Sequence, residues 1–161
     1  MSNFSSEYTF AFEKAANGVL ESEDLLKELR GLARHMAKAF GSGKSKTQVS
    51  HLEVLGFSTR RFHDITAYIQ RQTGKEKSKQ EGWLTLDEGK KLTLGEATLG
   101  FLETLHQKAD KAWSEHHKKF SQEIGEAEGE QKNTLRLKIA SVALRHLHSA
   151  YLYETIDKKG R

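Results

Sequence analysis

Apolar residues recur along this chain at three-and-four spacing, the period of a helix with one face turned inward. Leu25, Leu29, Leu32, Met36 and Phe40 mark one such helix, with Ser22 placed to cap it and Glu23 and Asp24 in its first turn. Tyr8, Phe12, Ala15 and Val19 trace a shorter stripe before it, crossed by Gly18, and Gly41-Ser42-Gly43 closes it. Two short patterns follow: Val49, Leu52 and Leu55, then Phe62, Ile65 and Ile69. Between them Gly56 is placed to supply left-handed backbone, Ser58 to cap the second helix, and Phe57 and Phe62 to staple it. Residues 73–80 are polar without an apolar anchor, which predicts an exposed loop.

One stretch leaves the helical period. Trp83-Leu84-Thr85-Leu86 and Lys91-Leu92-Thr93-Leu94 flank Asp87-Glu88-Gly89-Lys90, two short arms about a turn, which predicts a β-hairpin over 83–94. Thr93 and Glu96 also have capping-box spacing, so hairpin and helix compete for Leu92 to Leu94. A long helix then carries Leu99, Leu102, Leu105, Ala109, Ala112, Trp113, Phe120 and Ile124. After an acidic break at 125–129, a last helix from near Asn133 carries Leu135, Ile139, Val142, Leu147, Ala150 and Tyr151. The expected fold is mainly α, a helix-turn-helix with one small hairpin, in a single domain spanning 1–161. Within it, 1–43 form the N-terminal helices, 44–95 the helix-turn-helix and hairpin, and 96–161 the long and C-terminal helices, a candidate dimer surface.

Composition narrows the chemistry. No cysteine is present, which excludes disulfides, thiolate metal sites and cysteine nucleophiles. Without proline, helix ends fall to glycine and capping side chains. The amino terminus lacks the basic and apolar regions of a signal peptide, and no segment has the apolar length of a membrane helix, so the expectation is a cytoplasmic chain with no membrane partner. The formal net charge of +4 conceals blocks: residues 30–79 hold eleven basic against three acidic residues, and 131–161 seven against two, while 1–29 and 80–130 are acidic. A concentrated basic block suits a phosphate backbone, because each docked Lys or Arg releases condensed counterions.

Thr47-Gln48, six residues, then Leu55-Gly56-Phe57-Ser58 resembles the Thr-Gln and Leu-Gly-Val-Ser run of winged helix-turn-helix regulators of the MarR and LysR types. Gly89-Lys90-Lys91-Leu92-Thr93-Leu94-Gly95-Glu96-Ala97 is similar to their wing and following helix. The resemblance covers about 50 residues, with His51 where an apolar residue is usual and Leu52 where alanine is. It implies a homodimeric, double-stranded DNA-binding transcriptional regulator. With Phe62, Ile65 and Ile69 inward, Thr59, Arg60, Arg61, His63, Asp64 and Arg71 are left on the rest of the recognition helix. Arg60 and Arg61 then stand for base contacts, Lys44, Lys46, Gln48 and Ser58 for phosphates, and Lys90 and Lys91 for the wing. The ordinary alternative is exposed polar surface.

Other chemistries leave thinner traces. Arg30 and His35 have the spacing of a HEPN ribonuclease pair, on an early helix and with Gly31 after the arginine. Glu103, His106 and Asp110 share a helical face without the further ligands of a closed metal site. Gly41-Ser42-Gly43-Lys44-Ser45 ends like a P-loop but lacks its first glycine. No cofactor, metal or catalytic residue is therefore expected, and the chain reads as a non-enzyme. A small, basic helical chain also resembles the backbone-binding helical subunits of CRISPR ribonucleoprotein complexes, and continuous helix at 83–94 instead of a hairpin would favour that reading.

Overall fold

The computed structural model describes residues 14–41, 47–76, 81–123 and 128–159. Its elements are α1 (residues 14–20), α2 (Glu23–Phe40), α3 (Thr47–Ser58), α4 (Phe62–Lys75), a 3₁₀ turn (Gly82–Leu84), α5 (Leu94–Glu123) and α6 (Glu128–Lys159). The chain is mainly helical, and no strand occurs among the described residues. Tyr8, Phe12, Lys44, Lys46, Lys77 to Gln80 and Ile124 lie outside them.

The periodic stripes form the core. Leu25, Leu29, Leu32, Met36 and Phe40 of α2 are buried, as are Val49 and Leu52 of α3, and Phe62, Ile65 and Ile69 of α4. On α5 the stripe from Leu102 to Trp113 is buried. It packs within the chain, against α2, α4 and α6, and so is spent before any dimer could use it. α6 is the shared support, packing on α2, α3, α4 and α5. It starts five residues before Asn133. Gly41 ends α2 as expected, at φ +57° with its N–H bonded to the Ala37 carbonyl, and the buried Tyr151 hydroxyl of α6 donates to the Gly41 carbonyl.

Three expectations about the α3–α4 stretch are corrected. Gly56 does not supply left-handed backbone; it is a buried residue inside α3. A Cβ there would stand 3.0 Å from Leu144 Cδ1 and 3.4 Å from Ser141 Cα, so the glycine serves close approach to α6. Ser58 does not cap α4, because α3 runs through it. The link is fastened by Thr59 instead, whose hydroxyl donates to Asp64 at 2.7 Å and accepts the Arg61 N–H at 3.2 Å. Phe57 does not staple Phe62: it is exposed, with the Arg145 guanidinium 4.6 Å from its ring, while Phe62 packs edge-on against His106. α3 rests mainly on α6 and α4 mainly on α5, with only slight contact between the two.

The predicted hairpin reduces to one antiparallel bridge, Leu86 to Thr93, bracketed by Asp87 N–H to the Leu92 carbonyl (3.0 Å) and Leu94 N–H to the Thr85 carbonyl (2.9 Å). Two forces shorten it. Trp83 is fully buried in the 3₁₀ turn, edge-on to Phe40 at 5.3 Å, which takes the first arm out of extended geometry. The capping box takes the second arm, since the Thr93 N–H donates to Glu96 (3.3 Å) and the Glu96 N–H to the Thr93 hydroxyl (3.2 Å), starting α5 at a fully buried Leu94. The polar run is also shorter than expected. α4 continues to Lys75, and the Glu76 carboxylate accepts the Trp83 N–H at 3.2 Å.

Candidate nucleic-acid interface

The link between α3 and α4 presents Arg60 and Arg61 together, both exposed. Its backbone is held on both sides. Thr59 ties it to Asp64 as above, and Asn133 of α6 donates its Nδ2 to the Arg60 carbonyl at 2.9 Å. Ser58 at the end of α3 and His63 at the start of α4 are exposed beside them. Among the described residues, none engages the side chains of Arg60, Arg61 or Arg71. The corner therefore offers two cations uncommitted among the described residues, on a fixed main chain, which lowers the ordering cost of binding.

The Asn133 contact also brings in a residue that the local pattern could not reveal. Lys132, next in sequence, stands with its ammonium 4.6 Å from the Trp113 ring. The basic blocks 30–79 and 131–161 meet at this corner, although 73 residues separate Arg60 from Asn133. The excess charge of the C-terminal block was the available signal; its position depends on how α6 packs. Arg136, one turn on, is not part of the offer, because its Nε and Nη2 both reach Asp110 at 2.8 Å.

The remaining expected contacts scatter. Gln48 faces inward, its Oε1 accepting the Tyr68 hydroxyl (3.2 Å) and the Trp83 indole N–H (3.4 Å), so it is a tie between α3, α4 and the 3₁₀ turn. Lys90 and Lys91 are exposed on the tight turn before α5, where Lys90 takes a left-handed φ of 54°. Phe62 meets α5 at His106 and Thr73 meets it at Gly95, so α4 lies antiparallel to α5. Eleven residues of α5, or about 16 Å of helix, separate those contacts. The turn lysines thus sit at the far end of α4 from Arg60 and Arg61, with Arg71 and Lys75 exposed between.

Arg30 is exposed and bonds the Leu26 carbonyl of its own helix at 3.3 Å, whereas His35 is buried with Nε2 2.7 Å from the Thr85 carbonyl. A carbonyl only accepts, so that nitrogen carries the proton and the ring fastens the 85–93 turn to α2. Asp110 is shared by Arg136 and His106, and His148 pairs with Glu53 across α6 and α3. Among the described residues no group of three or more acidic or histidine side chains is arranged to hold a metal ion. Nor is any helix there long and apolar enough to cross a membrane. Compared with protein-family models, with curated proteins and with solved structures, the chain finds no match.

Proposed function

We propose that this chain binds nucleic acid through phosphate contacts at the α3–α4 corner, with double-stranded DNA as the first partner to test. The observation that carries the reading is the exposed pair Arg60 and Arg61 on a link pinned by Asn133 of the basic C-terminal block. The winged-helix resemblance supplies the expectation of duplex. The proposal keeps its corner and leaves out a wing ladder. Transcriptional regulation by a pair of copies belongs to the same proposal, with the pair formed on a face other than the α5 stripe.

An electrophoretic titration of random duplex across a salt series tests it. Arg60→Ala/Arg61→Ala is expected to weaken binding evenly across sequences and to reduce the slope of log affinity against log salt by about two. Salt-insensitive binding, or an unchanged slope in the double variant, overturns the proposal. The second reading is a helical subunit that lies along a ribonucleoprotein. The lack of a wing ladder among the described residues supports it, although 83–94 is not the continuous helix that would favour it outright. Single-stranded RNA bound more tightly than duplex in the same titration would select it.

A further inference from the structure

A cavity of about 610 Å³ lies between α2, the 85–93 turn, α5 and the C-terminal part of α6. Its volume is that of a small-molecule site. It shares no residue with the α3–α4 corner. The floor is apolar: Leu32 and Phe101 are buried in it, Ala97 is half-buried, and Leu92 stands exposed at its edge. Two glycines from different helices open that floor. Gly31 of α2 and Gly100 of α5 both line it, and a Cβ on either would meet nothing within 4 Å. A mid-helix glycine weakens its helix relative to alanine, and here the two together keep the floor open.

The rim has the opposite sign to the protein. Glu28, Asp87, Glu88, Glu96 and Glu154 line the cavity against Arg34, His35 and Lys38, with Lys108 of α5 beside Glu28, in a chain whose net charge is +4. Lys38 is partly committed, its ammonium donating to the Leu86 carbonyl at 3.2 Å. The acids lie at both ends. Glu28 sits ten residues, or about 15 Å, along α2 from Lys38. Lys38 in turn abuts the turn that carries Asp87 and Glu88. An elongated trough with an apolar floor and carboxylates at each end suits one class of ligand: ammonium groups joined by a flexible hydrocarbon chain.

We infer that this cavity binds a linear aliphatic polyamine, its methylenes over Gly31, Leu32, Gly100 and Phe101 and its ammonium groups against Glu28 at one end and Glu88 and Glu154 at the other. Calorimetric titration of the full chain with spermine at physiological ionic strength tests the assignment. One saturable site is expected. Glu28→Gln/Glu154→Gln removes two partly solvated ion pairs and is expected to weaken it about tenfold. Gly100→Leu fills the floor and is expected to abolish it while far-UV circular dichroism stays unchanged. If that variant fails to fold, the carboxamide pair still decides. Absent binding, binding matched by magnesium ion at equal charge, or affinity unmoved by the carboxamide pair overturns the inference. Tighter binding of a tetralysine peptide than of spermine also overturns it, by assigning the cavity to a protein's lysines. Neither result bears on the duplex titration, so the two proposals fail separately.

Discussion

Glycine has two opposite uses in this chain, and substitution separates them. Gly31 faces open cavity, so Gly31→Ala gains helix propensity without a clash and is expected to raise stability by about 0.5–1 kcal/mol. Gly56 lies against Leu144 and the Ser141 backbone, so Gly56→Val is expected to cost about 1–3 kcal/mol through overpacking. Chemical denaturation of both variants checks the opposite signs. The sequence around Gly56 reads as a helix end because the partner that explains it, Leu144, is 88 residues away. A second residue-scale effect is electrostatic. The Lys91 N–H donates to the Asp87 carboxylate at 2.9 Å and is the main cause holding that carboxyl below its usual range, with His35 and Lys38 adding to it. A lowered folded pKa stabilises the turn above the ordinary carboxylate range, and that contribution is lost as pH falls through the lowered value. The melting-temperature gap between the native chain and Asp87→Asn is therefore expected to narrow under acid. A gap that stays constant with pH would refute this.

At the scale of elements, the sequence reported burial well and connection poorly. Stripes on α2, α4 and α5 were legible because three-and-four spacing directly records which face is covered. The capping box at Thr93 was equally legible, being wholly local. Thr93→Ala is expected to cost about 1 kcal/mol, measured by thermal or chemical unfolding. The hairpin was not legible: two short apolar arms about a turn fit a ladder as well as a 3₁₀ turn leading to a capped helix. What decides is the burial of Trp83 against Phe40, which is tertiary. Gln48 was misplaced for the same reason. It follows Thr47 at a helix start, where a phosphate contact is reasonable, yet it binds Tyr68 and Trp83. Gln48→Ala is accordingly expected to lower the unfolding midpoint and to leave duplex affinity unchanged within the titration error.

For the whole molecule, the candidate interface is a product of topology. Arg60 and Arg61 could be named from one helix pattern, but the segment carrying Lys132 and Asn133 reaches them only because α3 and α6 run antiparallel, with Glu53 beside His148, Gly56 beside Leu144 and Arg60 beside Asn133. Lys132→Ala is therefore expected to weaken duplex binding in a salt-sensitive way, and an affinity equal to the native chain's would remove α6 from the interface. The same arrangement governs assembly of the fold. α6 follows the other described helices yet touches α2, α3, α4 and α5, and Tyr151 closes onto Gly41 across 110 residues. Until that helix has emerged, a growing chain holds its earlier helices with apolar faces uncovered and few long-range contacts to trap them. Order among the earlier helices then arrives late and together, once α6 is there to cover them.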